Sequence, residues 1–293
     1  IYVGYGNKKF AWSNSVRYKT TRNLLGSLDT KGEYRPTFVD YQTFLTLKPN
    51  KRWEINILGN ISNNNYNFYP EDRETRFGTS EDVKSFRVFF DGQEKDVFRT
   101  YFGSAGLTYK ICNATKVSLM ASAFKTHEQE RYDIQGQYWL TQTETSENLG
   151  VGTFFQHARN YLDAHVESLK MMFNTKAKKH DIEAAFTIKN EHITENSAEY
   201  EMRDSSNYNI PHTGSDLKMI YSMRAKNSLS ARRMEAYIQD TYRFASAGKK
   251  TLYTLNYGVR IAHWSYNKET ILSPRVSLGI IPAFNENVTM RLA

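Results

Sequence analysis

The sequence has almost no cysteine and no long apolar run, and each shortage removes a class of protein. Its 293 residues contain one cysteine, Cys112, which excludes a disulfide framework, a cysteine-based zinc site and an iron–sulfur cluster. No run of about 18 consecutive apolar residues is present, so a membrane-spanning helix is excluded. The formal charge is +8, but Lys and Arg are scattered among 31 acidic residues, a pattern that argues against a nucleic-acid surface.

Catalytic and phosphate-binding motifs are also missing. The sequence has no HExxH, no GxSxG and no GxxxxGK[ST]. Its seven histidines never fall at close ligand spacing on one face of a strand. We therefore expect no enzymatic activity, no catalytic residue, no cofactor and no metal site.

Aromatic residues are abundant, with 20 Tyr, 17 Phe and 4 Trp. Tyr and Trp suit positions where one end of the ring lies in hydrocarbon and the other in water. The mean hydropathy of −0.64 is low for a helical membrane protein. It is compatible with spanning strands that alternate apolar and polar residues.

Period-two alternation dominates the chain. At 53–62, Trp53, Ile55, Ile57 and Ile61 alternate with residues that are polar except for Leu58, and 181–191 and 253–263 show similar alternation. Softer alternation lies at 9–19, 37–48, 98–111, 116–126, 160–173, 232–243 and 271–281, with partial strands at 1–5 and 288–293. The pattern predicts about twelve strands.

Strand length and connection length both favour a membrane wall. Most predicted strands have about ten to fourteen residues, whereas soluble strands average about five or six and a tilted bilayer-crossing strand needs about nine to eleven. Short connections (7–8, 49–51, 112–115, 175–179, 245–249 and 282–287) alternate with predicted long loops (20–36, 63–97, 127–156 and 194–231). Apart from a brief connection at 267–269, this alternation is typical of periplasmic turns and extracellular loops.

A soluble all-β domain with one wet face would show the same alternation. The apolar faces at 182–188 and 253–261 carry no charge, however, and a Lys or Arg facing lipid at mid-depth costs about 2–4 kcal/mol. Two positions fit less well. Lys170 shares a face with Leu162, Ala164 and Val166, where we expect it to reach the interface, and Asn14 interrupts an apolar face.

The motifs of the C-terminal third carry a family resemblance. Tyr237-Ile238-Gln239-Asp240, Gly258-Val259-Arg260 and Ser273-Pro274-Arg275 follow one another on successive predicted strands. A proline-containing hairpin at 281–284 then leads to the strand-like end at 290–293. This order resembles the mid-barrel of TonB-dependent outer-membrane receptors of the Bacteroides type, and shorter similar segments extend the resemblance over 1–293.

The resemblance implies an all-β, antiparallel up-and-down transmembrane barrel of about 22 strands, closed by an N-terminal plug. It implies active uptake of a nutrient, with outer-membrane lipid, periplasmic TonB and a surface lipoprotein as partners. Iron chelate, corrinoid, oligosaccharide and peptide all stay open as cargo. Both ends of the sequence look interrupted, so we expect an internal, partial barrel of about twelve strands that forms an open, curved meander. A passive porin or structural barrel, or a soluble β-rich binding module, are the alternatives.

Two groups of side chains are candidate sites. The first group consists of charges predicted to face the lumen: Glu54, Glu183, Lys189, Arg260 and Arg275, with Glu191 beside them. These charges form a polar path or a docking surface for the plug, or they pair with one another across neighbouring strands. The predicted loop aromatics are candidates for ligand contact, or they pack the loops on one another; they are Tyr66, Tyr69, Tyr138 and Trp139.

Overall fold

A computed structural model gives the structure of the chain and describes residues 1–21, 32–79, 82–204, 217–246, 248, 251–285 and 287–292, with backbone alone at 148–151. The predicted long loops at 20–36 and 194–231 fall partly outside these ranges. Within them, no helix is long and apolar enough to cross a bilayer.

The described residues form fourteen strands. The first seven are β1 (Tyr2–Gly6), β2 (Phe10–Thr20), β3 (Gly32–Tyr34), β4 (Thr37–Leu47), β5 (Trp53–Pro70), β6 (Arg73–Thr79) and β7 (Asp82–Lys110). The others are β8 (Thr115–Gln142), β9 (Glu147–Ala177), β10 (His180–Arg203), β11 (Lys218–Ala245), β12 (Leu252–Trp264), β13 (Glu269–Ile281) and β14 (Met290–Leu292).

The strands make one antiparallel sheet in which, apart from the short strands β3 and β6, each strand pairs with the next one along the chain. Twelve follow the path β1-β2-β4-β5-β7-β8-β9-β10-β11-β12-β13-β14, while β3 pairs with β5 and β6 with β7. The predicted antiparallel up-and-down fold is confirmed. Strands β1 and β14 lie at opposite ends of this path and are not paired with each other within the described ranges.

The long-loop prediction is wrong over most of its extent. Residues assigned to loops at 63–97 and 127–156 lie mainly in β5, β7, β8 and β9, and the longest of these strands, β9, has 31 residues. Polar residues on both faces hid these strands, because a ladder of backbone hydrogen bonds forms whether or not one face is apolar. The strands therefore run well past the length needed to cross a bilayer.

Two of the predicted short turns use the same local chemistry. The Asn7 side-chain oxygen accepts hydrogen bonds from the backbone nitrogens of Lys9 and Phe10, each at 2.9 Å. The Asn50 side-chain oxygen does the same for Arg52 at 2.8 Å and Trp53 at 3.1 Å. Asparagine favours such turns because its side chain substitutes for a backbone acceptor.

One face of the sheet, here called the outer face, carries a continuous apolar band. A single row of directly opposed residues crosses ten strands without a polar member: Phe10, Leu47, Ile55, Leu107, Leu119, Met171, Phe186, Ala236, Ile261 and Leu272. We call this set the apolar row. We use "above" for the direction away from the short turns.

The apolar band crosses this row obliquely. On β2 the outer-face residues continue upward from Phe10 to Tyr18, while on β13 they continue downward from Leu272 to Ile280. The band therefore shifts by about one residue per strand. With about 3.3 Å per residue and 4.8 Å between strands, this shift corresponds to a strand tilt of about 35°, the value of a closed barrel wall.

The sheet has no apolar core. Within the described ranges the buried hydrophobic residues are Ala158, Ala185 and Ala231, whereas Ile57 and Phe186 are each 44% exposed. Monomeric soluble proteins rarely leave so large a continuous apolar surface in water. The band therefore needs an apolar environment.

The face expected for Lys170 is corrected by the register. The outer-face residues of β9 are Leu169, Met171 and Phe173, so Lys170 lies on the opposite, inner face. Its ammonium group is 5.9 Å from the centre of the Tyr237 ring. Asn14 does interrupt the outer face, and its side-chain oxygen accepts a 2.6 Å hydrogen bond from the Tyr41 hydroxyl.

Candidate functional site

The inner face at the height of the apolar band carries the predicted lumen-facing charges, and three of the five have polar partners. The Glu54 carboxylate is 3.5 Å from the Lys48 ammonium group. The Arg260 guanidinium is 2.5 Å from Glu235 on the adjacent strand. The carboxylate of Glu183 accepts hydrogen bonds from Asn174 at 2.7 Å and the Tyr237 hydroxyl at 2.5 Å. Cross-strand pairing thus satisfies these three.

Lys189 and Arg275 form no ion pair with any described residue. Arg275 shares a cavity of about 690 Å³ with Arg260 and Arg291, on strands β12 to β14. In the part of the chain that the structure describes, the guanidinium groups of Arg275 and Arg291 have no carboxylate within ion-pair distance, whereas Arg260 has Glu235. The inner face here therefore carries positive charge that no described carboxylate compensates.

The three motifs of the C-terminal third meet in this cavity. Gln239, Gly258 and Arg275 lie directly opposite one another on β11, β12 and β13. A Cβ atom on Gly258 would lie 2.7 Å from the Ile238 carbonyl oxygen and 2.8 Å from the Gln239 Cβ. Glycine at this position therefore lets the two strands approach closely.

Asp240, the last residue of the first motif, lies on the outer face near the short turns. Its carboxylate is 2.5 Å from the imidazole Nδ1 of His180 and accepts a 2.7 Å hydrogen bond from the Tyr257 hydroxyl. Both partners shield the carboxylate, whose residue is 7% exposed. The aspartate therefore interrupts the outer face between Ile238 and Tyr242 and does not lie on the inner face.

The four predicted ligand-contacting aromatics lie in strands and are not brought together. Tyr66 is on the inner face of β5, with its ring centre 6.1 Å from that of Tyr34, and Tyr69 points to the other face, 4.8 Å from the Arg35 guanidinium. Tyr138 and Trp139 lie on opposite faces of β8. Tyr66 and Tyr138 are about eight residues apart in height, or about 26 Å. They cannot line one small ligand site.

A group of carboxylates on the inner face, above the apolar band, is the feature that the sequence reading missed. Asp96 lies directly opposite Tyr66 and Glu130, and Glu94 lies two residues further up β7. The amide nitrogen of Asn160 donates to Glu130 at 3.0 Å and to Glu199 at 2.6 Å, which links three strands. We call Glu94, Asp96, Glu130 and Glu199 the acidic cluster.

The acidic cluster is short of positive partners. None of its four carboxylates forms an ion pair with a described residue. Asp96 is 9% exposed, and its Oδ1 has no hydrogen-bond partner. Burying a carboxylate without a partner costs free energy, so this oxygen faces a place where a donor or a proton is expected.

Proton affinities in the cluster follow from this crowding. Burial raises the pKa of Glu94 to about 7, and the neighbouring carboxylates Asp96 and Glu130 add to the shift. Burial also raises the pKa of Asp96, again with Glu130 contributing. The phenols of Tyr66 and Tyr132 line the same place, and burial raises each pKa to about 12. Near neutral pH the Glu94 carboxyl therefore binds a proton more readily than an ordinary glutamate does.

The sequence did contain one signal for this cluster. Glu94 and Asp96, like Glu128 and Glu130, are spaced by two residues and so share a face of an extended strand. Their assignment to loops prevented that inference. Among the described residues, no group of three or more His, Cys, Asp or Glu is arranged to hold a metal ion.

No protein-family model matches the sequence, and no curated protein matches it. Among solved structures the chain is similar to the beta domain of the Bordetella autotransporter Brka, with 12% identity over 92% of this chain and 82% of that one. The TM-score of that superposition is 0.32.

Proposed function

We propose that this chain forms part of the wall of a bacterial outer-membrane β-barrel, with the outer face in lipid and the inner face along an aqueous interior. The apolar row carries the proposal, because ten neighbouring strands place apolar residues directly opposite one another without one polar exception. On β7 the band runs from Tyr109 to Tyr101, nine residues, which matches the length that a tilted strand needs to cross a bilayer.

Cysteine labelling tests which face touches lipid. In a Cys112→Ser background, Leu119→Cys and Ser118→Cys place single thiols on the outer and inner faces of β8. In the outer membrane, a water-soluble maleimide is expected to label Ser118→Cys and to spare Leu119→Cys. Equal labelling of both thiols would contradict the membrane wall.

A passive or structural barrel is the function that the described residues support best. They supply a wall, a charged lining and strands that rise well above the band, and none of these features requires an energy source. The expected result is a stable conductance in planar bilayers, reduced when Arg275 and Arg260 are changed to glutamine. A protein that inserts into the bilayer but gives no conductance would exclude the passive pore and support a structural role.

TonB-dependent uptake of a nutrient is the second candidate. The direct opposition of Gln239, Gly258 and Arg275, each from one motif of the resemblance, favours it. On this reading the acidic cluster and its tyrosines receive the cargo above the membrane, and a plug with its TonB contact would lie elsewhere in the protein. Growth on a cargo that stops when TonB is deleted, with the barrel still present, would support uptake; unchanged growth would argue against it.

A further inference from the structure

The outer face above the apolar band carries three cations in direct opposition. Lys95 on β7 lies opposite Arg131 on β8, which lies opposite Arg159 on β9. We call these three residues the cation row. Like charges directly opposite on neighbouring strands destabilise a sheet, so a row of three calls for a compensating anion.

Protein groups compensate the row only in part. The Arg159 guanidinium pairs with the Asp133 carboxylate and donates to the backbone carbonyls of Tyr132 at 3.0 Å and Ala158 at 2.7 Å. Burial disfavours ionisation of Asp133, but hydrogen bonds from Arg159 and His157 outweigh it and lower its pKa. Lys95 and Arg131 form no ion pair with any described residue. The site therefore keeps about two positive charges beyond the one that Asp133 offsets.

The cation row also has a defined shape. Its three side chains, with Gln93 and Asp133, line a depression of about 190 Å³. Because Arg159 is fixed by three acceptors, its position is set before any ligand arrives. Arginine and lysine together suit a phosphate, the first by paired N–H donors and the second as a point charge.

The acidic cluster does not neutralise these cations. Glu94 and Asp96 flank Lys95 in the sequence, and Glu130 precedes Arg131, but strand alternation sends them to the inner face. No ion pair joins the two groups among the described residues. The wall is thus positive outside and negative inside at one height.

The height of the row indicates which kind of lipid carries the phosphate. Lys95 lies six residues above Tyr101, the top of the band on β7, or about 16 Å along the membrane normal for a strand tilted by about 35°. The interfacial zone on each side of the hydrocarbon core is only about 5–8 Å thick. A glycerophospholipid phosphate stays within that zone, whereas a phosphorylated sugar headgroup extends beyond it.

A second set of outer-face cations marks the lower, interfacial level. Arg99, Lys125 and Arg232 lie on β7, β8 and β11 just above the last apolar residue of each strand. They follow the oblique edge of the band, as expected for side chains that meet the first layer of lipid phosphates. The cation row lies above this edge on the same face.

We propose that Lys95, Arg131 and Arg159 hold a phosphate group on the sugar headgroup of a glycolipid in the leaflet that surrounds this part of the wall. The inference rests on the membrane placement proposed above. It adds a bound lipid as a specific partner of the barrel.

Lipid titration tests the proposal. The probe is fluorescent lipopolysaccharide with a phosphorylated core, added to the protein in phosphatidylcholine nanodiscs. We expect Lys95→Gln with Arg131→Gln to weaken binding about tenfold or more, because removing one charge-assisted hydrogen bond weakens binding by about a factor of ten. The same lipopolysaccharide after enzymatic dephosphorylation is expected to bind the unchanged protein as weakly as it binds the double variant.

Three controls separate the possible failures. Lys51→Gln, in a short turn at the other edge of the band, is expected to change affinity by less than about twofold. Arg131→Lys keeps the positive charge but loses the paired N–H donors, so it is expected to weaken binding less than Arg131→Gln does. Failure of Leu119→Cys protection in these nanodiscs would overturn the membrane placement itself. If Leu119→Cys is protected but the double variant binds lipopolysaccharide with unchanged affinity, only the lipid site is overturned. Binding of inorganic phosphate as tight as that of lipopolysaccharide would overturn it as well.

Discussion

A single arginine placed on one face or the other of β7 tests the membrane wall quantitatively. Ala105 lies in the middle of the apolar band, with four residues to Tyr109 below and four to Tyr101 above, and it is flanked by Ile57 and Ala121. Its neighbour in sequence, Ser104, points to the inner face. We expect Ala105→Arg to lower the free energy of unfolding by about 2–4 kcal/mol, the cost of an arginine at the bilayer midplane.

The matched change is Ser104→Arg, for which we expect less than about 1 kcal/mol because the side chain enters water. Overpacking does not complicate the comparison. Ala105 lies in a shallow depression of about 670 Å³ lined by Gly103 and Ala123, so the new side chain has room. The assay is urea unfolding of the protein in phospholipid vesicles, followed by tryptophan fluorescence. Equal losses for the two variants, or a larger loss for Ser104→Arg, would refute the assignment of the faces.

Three further predictions concern strand pairing and protonation. Gly92→Ala is expected to destabilise the upper part of β7 by about 1 kcal/mol or more, because φ is 108° there and an added Cβ would lie 1.9 Å from the Asp133 carbonyl oxygen. The expected measurement is faster amide exchange in the upper part of β7 alone. Gly258→Val is expected to reduce the folded yield, measured by gel mobility without heating, whereas Gly103→Ala, with nothing within 4 Å of its added Cβ, is expected to leave it unchanged. The pKa of Glu94 is about 7 against an ordinary 4.5, so the folded state holds this proton more tightly than the unfolded state does. The local stability of β7, measured by amide exchange, is therefore expected to fall as pH rises from about 4.5 to 7. The same pH dependence in Glu94→Gln would contradict this.

The sequence predicted the fold well where one face had to be apolar. The strands at 37–48, 253–263 and 271–281 are found within one or two residues of the predicted bounds, as Thr37–Leu47, Leu252–Trp264 and Glu269–Ile281. Alternation is a reliable signal there because every second position of these strands is apolar and its neighbours are polar. Above the band that selection is absent, and β7 to β10 continued for many residues beyond their predicted ends.

The candidate sites divide in the same way. Glu183 and Arg260 lie on the face opposite the apolar row, as strict alternation in their strands indicated, and their exposure to a lumen stays a prediction. On β9 both faces carry apolar residues, so alternation could not decide that Leu169 faces outward and Lys170 inward. The loop aromatics were misplaced for the same reason as the loops.

By itself, the sequence determined that this chain makes long antiparallel strands with one apolar side, since side-chain period and burial act within each strand. Which residues of different strands oppose one another was decided only in the sheet. Register is a property of pairs of strands, and a one-residue slip would exchange the two faces. The acidic cluster and the cation row both depend on that register, and neither can be read from any one strand.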